Sequence, residues 1–158
     1  LTSYAPLMAH SEGWQWTPDM IWFDNLESYG TPNYYVQKMF GTHRGTDVLF
    51  IQENGKPLTG QHDLYASAAK DTDSREVLIK LVNTSDKDQT LNIDFKGQKL
   101  TDSGRGFILR ANNLEEVNSF EFPKRISPQP SEIALRKNKA KVVLPAYTFM
   151  NVKAQMEQ

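Results

Sequence analysis

Beyond about residue 45 the chain alternates apolar and polar positions with a period of two, the spacing that sends successive side chains to opposite faces of an extended strand. Val48, Phe50 and Gln52 oppose Leu49 and Ile51; Val77, Ile79 and Leu81 oppose Leu78, Lys80 and Val82; Leu91, Ile93 and Phe95 oppose Asn92 and Asp94. Shorter runs of the same kind occupy 64–69, 106–110, 133–135, 142–144 and 147–152. Asn83-Thr84-Ser85-Asp86 and Lys96-Gly97-Gln98 put turn-forming residues between runs. Strand signals roughly 8–12 residues apart, with no helical segment among them, predict a mainly β domain over 46–158, an antiparallel, jelly-roll-like β-sandwich. The proline-marked stretch 123–130 is expected to cross between its two sheets.

Residues 1–45 read differently. Tyr35, Val36, Met39 and Phe40 recur at helical spacing behind Thr31, a good N-cap, and Pro32, tolerated in a first turn. This predicts a helix over Pro32–Phe40, ended by Gly41. Ahead of it lies a long loop holding all three tryptophans, Trp14, Trp16 and Trp22. A structureless connection of that length is uncommon unless it is functional. The chain starts inside an apolar, strand-like phrase, Leu1 to Ala9, with no initiator Met and no basic or apolar leader, and so reads as a piece excised from a larger protein.

Composition narrows the function classes. The 158 residues fit one domain, or one domain and a fragment, and 39% hydrophobic residues support a core. No apolar run approaches the roughly 20 residues that cross a bilayer, so a membrane is not an expected partner. A formal charge of −1 with scattered Lys and Arg offers no footprint for nucleic acid. The absence of cysteine removes disulfides and thiolate chemistry. By itself it assigns no compartment, and an extracellular or periplasmic parent is compatible with it.

The phrases Ser3-Tyr4-Ala5-Pro6-Leu7, Trp14-Gln15-Trp16-Thr17-Pro18-Asp19, Ile21-Trp22-Phe23-Asp24-Asn25 and Tyr29-Gly30-Thr31-Pro32-Asn33-Tyr34-Tyr35-Val36-Gln37 resemble the end of the catalytic domain of glycoside hydrolase family 51, the α-L-arabinofuranosidases. Leu64-Tyr65-Ala66-Ser67-Ala68, Lys80-Leu81-Val82-Asn83-Thr84-Ser85, Asn118-Ser119-Phe120 and Leu144-Pro145-Ala146-Tyr147-Thr148-Phe149 are similar to its C-terminal sandwich. The resemblance implies that residues 1–45 close a (β/α)8 barrel: a last strand including Leu1 to Pro6, the aromatic loop, and the final helix. Loops at that end of a barrel border the active site.

Retaining glycosidases use two carboxyl groups about 5–5.5 Å apart. In the resembled family both are Glu on earlier barrel strands, one directly after an Asn, and no Asn-Glu pair occurs here. The resemblance therefore implies no catalytic residue in this chain, which is expected to be inactive alone. Clustered indoles suit a sugar-binding rim, since an indole face stacks on the C–H face of a ring. Trp14, Trp16 and Trp22 are the candidates, each with packing against the helix as the other reading. Asp24 and Asn25, like Asp19, are either sugar-hydroxyl partners or turn and cap residues; Glu12 and Glu27 read as solvated.

His10, His43 and His62 lack ligand spacing, so neither a metal nor a cofactor is expected. Lys137, Lys139 and Lys141 read as a solvated strand face or edge protection.

Two functions follow from the sequence. The sandwich is either a structural appendage of the parent's catalytic barrel, its first expected partner, or a carbohydrate-binding module for arabinan or arabinoxylan. With no Trp and only Tyr65 and Tyr147 in 46–158, the sequence favours the appendage. Residues 4–40, cut from the barrel, are also expected to drive self-association.

Overall fold

The computed structural model describes residues 3–157. Three short strands open the chain: β1 (Met8–His10), β2 (Ile21–Phe23) and β3 (Ser28–Gly30). β2 lies between the others, parallel to β1 and antiparallel to β3, so Trp22 stands opposite both Ala9 and Tyr29. Two corrections follow. Of the expected strand Leu1 to Pro6, Leu1 and Thr2 lie outside the described residues, and 3–6 are not extended in a sheet. Pairing starts later, where Leu7 accepts a hydrogen bond from the Ile21 amide, because Pro6 has no N–H to give to a ladder. The long loop also carries a strand of its own, β2, and closes onto β3.

Helix α1 (Pro32–Thr42) starts as expected, with the Thr31 hydroxyl accepting from the Tyr34 amide at 3.4 Å. Gly41 does not end it. The helix runs one residue further, to Thr42, whose hydroxyl back-bonds to the Lys38 carbonyl at 2.8 Å.

After β4 (Asp47–Leu49) the expected strand Val48–Gln52 breaks at Phe50. Edge strand β4 pairs with only three residues of its neighbour, and the next residues turn away into a hairpin of β5 (Gln52–Glu53) and β6 (Lys56–Pro57). Asn54 and Gly55, both at positive φ, form its tip, the Asn-Gly signature of a tight hairpin.

The rest is antiparallel: β7 (Leu64–Asp71), β8 (Glu76–Asn83), β9 (Gln89–Asp94), β10 (Leu100–Arg110), β11 (Gln129–Ala134), β12 (Lys139–Leu144) and β13 (Thr148–Met156). Six strands form one sheet in the order β11-β10-β13-β8-β7-β4, and β12 and β9 form the second layer. The expected sandwich is therefore present, with unequal layers. Its core comprises the inward row of each strand, including Val77, Ile79 and Leu81, Met150, Val152 and Ala154, and Val142 and Leu144.

The other face of the large sheet carries the seat of the helix. Leu109, Phe149 and Val82 stand side by side on adjacent strands, and Met39, Tyr35 and Val36 of α1 pack on them. Residues 123–130 are not a crossover. They lie in the connection between β10 and β11, neighbours in the same sheet, and Pro130 sits within edge strand β11, where a missing N–H is tolerated.

That connection is held against β3 by Asn118, which is 3% exposed. Its amide donates to the Gly30 and Ile126 carbonyls at 2.9 Å each, and its oxygen accepts from the Ile126 amide at 2.7 Å. Lys137 lies in the turn before β12, while Lys139 and Lys141 point outward from that strand.

Candidate functional site

The candidate residues gather on the β1–β2–β3 unit, and the structure divides them. Trp14 and Trp22 meet edge to face, ring centroids 5.9 Å apart at 76°. Trp22 is held by its strand and half-buried. Trp14 is 51% and Trp16 56% exposed, and among the described residues Trp16 meets no other ring. Leu7 and Met8 are also about half exposed, so the unit presents an apolar, indole-bearing surface. Such a surface can stack on a sugar ring or seat a protein partner.

Asp24 ends β2. One carboxylate oxygen, Oδ1, accepts from the amides of Leu26 and Glu27 at 2.7 Å each, and the Asp24 amide donates to the Glu27 carbonyl at 3.0 Å. Those backbone donors, Leu26 first, hold its carboxyl below the ordinary carboxylate value. The residue thus builds the turn between β2 and β3, and a sugar hydroxyl would be left with Oδ2. Asn25 is exposed at the tip of that turn. Glu12 and Glu27 are exposed, and the Glu12 amide donates to His10 Nδ1 at 3.2 Å.

Asp19 is the residue whose environment the sequence did not reveal. It is 1% exposed, and neither carboxylate oxygen has a hydrogen-bond partner among the described residues. Burial of a carboxylate is costly unless it is paired. The only hint was its place in the Trp-x-Trp-Thr-Pro-Asp run.

Among the described residues no three His, Asp or Glu converge as metal ligands. His43 lies far along the chain, at the end of α1, edge-on to Phe107 at 6.2 Å. Burial first, then the charges of Lys153 and Lys80, push its pKa below the ordinary histidine value.

Among the described residues the sandwich shows no exposed row of Trp or Tyr. Tyr65 on β7 and Phe107 on β10 share a face but are separated by β8 and β13. Tyr147 is half-buried in the turn before β13.

Comparison with known proteins identifies this combination. The family model for the alpha-L-arabinofuranosidase C-terminal domain matches residues 1–148. Alpha-L-arabinofuranosidase 1 of Arabidopsis thaliana is 32% identical over 155 residues, which are 94% of this chain and 22% of that protein. Alpha-L-arabinofuranosidase 2 of the same plant is 30% identical over 94% of this chain and 22% of its own length. The chain thus spans about a fifth of the length of these curated relatives. Among solved structures, the arabinose-bound α-L-arabinofuranosidase MgGH51 shares the fold with a TM-score of 0.85 at 24% identity, over 98% of this chain and 24% of that one.

Proposed function

The chain belongs to the family of α-L-arabinofuranosidase C-terminal domains, and we propose that it is the terminal part of a longer retaining glycosidase that removes terminal α-L-arabinofuranosyl residues from arabinan or arabinoxylan. In this reading residues 1–45 are the end of the catalytic barrel and 46–158 a sandwich that buttresses it. The carrying observation is the seat of α1. The helix buries Met39 against Phe149 and Leu109 on the large sheet, while the β1–β2–β3 unit ahead of it keeps Leu7, Met8, Trp14 and Trp16 open. A sandwich that grips the last barrel helix fixes that end of the barrel mechanically.

In this reading catalysis belongs to the parent, whose paired Glu the reaction needs, and the sequence here carries no Asn-Glu pair. On the same reading Trp14, Trp16 and Asn25, exposed on the β1–β2–β3 unit, are the side chains that would meet a sugar at the barrel rim. Trp22 meets Trp14 edge to face, and Asp24 shapes the turn that carries Asn25.

The test has two arms. Incubated with an aryl arabinofuranoside, the 158-residue chain is expected to release no product, whereas the parent hydrolyses it. Titrated calorimetrically with arabino-oligosaccharides, the chain is expected to show no binding at millimolar concentration. Hydrolysis by the chain alone would sink the assignment, and millimolar or tighter binding would turn the sandwich into a binding module.

A further inference from the structure

Asp19 sits where the parts of the opening unit meet. The next residue, Met20, accepts at its carbonyl from both the amide and the hydroxyl of Thr31, the N-cap of α1, each at 3.0 Å, and Ile21 then begins β2. Just before Asp19, the Pro18 carbonyl accepts from the Tyr4 hydroxyl at 3.3 Å, which ties the residue to the segment that runs back toward the start of the chain. At this junction the Asp19 side chain is 1% exposed and both carboxylate oxygens lack a partner. No other buried side-chain oxygen or nitrogen among the described residues is left in that state.

The cost of taking a carboxylate out of water is offset only by donors or an opposite charge in good geometry. The unit provides such donors where it can, since Asp24 has one oxygen filled by the amides of Leu26 and Glu27. Nothing comparable reaches Asp19, and the ion pairs among the described residues all lie in the sandwich. Two free oxygens match the planar, two-pronged donor of a guanidinium better than the point charge of an ammonium. Among the described residues no three His, Asp or Glu converge, so a metal ion would lack ligands. A sugar hydroxyl is also the poorer partner, because a neutral donor leaves the charge uncompensated. The stretch leading into Asp19 is free to adjust: among the described residues no amide from Trp14 to Asp19 donates a hydrogen bond, so an arriving side chain can displace it without breaking any.

We propose that Asp19 receives an arginine from the part of the parent polypeptide outside these 158 residues, the guanidinium pairing with both carboxylate oxygens. The pair locks the rest of the barrel to the junction from which the indole loop and α1 both start. This rests on the assignment of the chain to a longer arabinofuranosidase, whose relatives carry roughly four-fifths of their length outside the matched region.

Thermal melts of this chain and of the parent, without sugar, test it. Asp19→Asn is expected to leave the Tm of this chain unchanged or raised, because it removes a buried charge that has no partner here. In the parent the same substitution is expected to lower the Tm by about 5 °C or more, since it leaves one half of a buried pair alone. An equal fall in both overturns the proposal, because Asp19 then serves the chain's own backbone. A parent whose Tm is unchanged or raised overturns it too.

A scan of the parent's arginines, each changed to Met, identifies the partner. One variant is expected to lose about as much Tm as Asp19→Asn, and adding Asp19→Asn to it is expected to cost little more or to restore part of the loss. A scan that returns no arginine coupled to Asp19 overturns the proposal, even where single variants fold poorly. Hydrolysis of an aryl arabinofuranoside by the same parent preparation reads the functional assignment separately: an inactive parent with a coupled arginine sinks that assignment and leaves the ion pair in place.

Discussion

Phe40 of the helix and Phe149 of β13 stack with ring centroids 4.9 Å apart at an interplanar angle of 23°. The pair joins the two halves that the sequence pattern separates at residue 45. The partners differ in burial, since Phe149 is 6% exposed and Phe40 43%. Phe149 also packs with Met39 and Leu109, whereas the outer side of Phe40 carries the Lys80 ammonium at 5.0 Å.

Phe149→Ala is expected to cost about 3–5 kcal/mol, the range for a buried Phe, and Phe40→Ala about 1 kcal/mol because much of its ring stays in water. A double-mutant cycle by urea denaturation should return a coupling of about 0.5–1.5 kcal/mol. Zero coupling would mean that helix and sheet do not hold each other.

Two glycines make opposite forecasts. A Cβ on Gly106 would lie 1.8 Å from the main-chain oxygen of Asn151, on the neighbouring strand β13, so β10 and β13 could not keep their pairing. Gly106→Ala should cost about 4 kcal/mol or more, or prevent folding, because the obstacle is backbone. Gly41 is inside α1 and meets nothing within 4 Å. Gly41→Ala should therefore stabilise by about 0.5–1 kcal/mol, by removing unfolded-state freedom in a helix interior. Thermal melts of the two variants check both signs, and a destabilising Gly41→Ala would mean that the helix ends before it.

These cases mark what the sequence could say. Alternation found β7, β8, β9 and β12, because each has one face on the core and the other toward solvent or a second contact. The N-cap at Thr31 was legible from local chemistry alone. Gly41 misled because a C-terminal glycine signal is indistinguishable in sequence from a helical glycine whose turn is completed by Thr42.

The stretch 123–130 was misread because the course of the connection that holds it is set by Asn118 bonding to Gly30, 88 residues away, which no local pattern carries. Among the site residues, the clustering of indoles was readable. That Asp24 serves its own turn, and that Asp19 is buried without partners, depends on how three short strands meet.

Stability should depend on pH through His43. Its pKa lies below the ordinary value of 6.5, chiefly through burial and then through Lys153 and Lys80, against weaker raising effects of the Met39 carbonyl and Glu76. The folded chain thus binds this proton less readily than the unfolded chain. As pH falls below about 6.5 the unfolded state takes up more protons and stability declines, until the folded-state pKa is passed; above 6.5 the residue contributes no slope. His43→Gln should flatten the Tm-versus-pH profile on the acid side of 6.5 and leave the alkaline side alone. A profile unchanged by that substitution would show that the ring titrates normally.

The exposed surface of the first unit predicts association of the isolated chain. Leu7, Met8, Trp14 and Trp16 are each more than half exposed, while Trp14 is braced by Trp22 rather than folded away. Apolar side chains this exposed on one small unit are the kind that drive association when they gather in a patch. Sedimentation velocity over a hundredfold concentration range should show the chain moving from monomer to oligomer. Trp14→Ser combined with Trp16→Ser should shift that transition to higher concentration by about tenfold or more, the factor that about 1.4 kcal/mol of lost contact energy produces. Since Trp22 and Asp24 hold the strand and turn without these two indoles, the double variant should keep its Tm within a few degrees. A wild-type chain that stays monomeric throughout would mean that its indoles are too widely spaced to act together, and the barrel would then be their only protein partner.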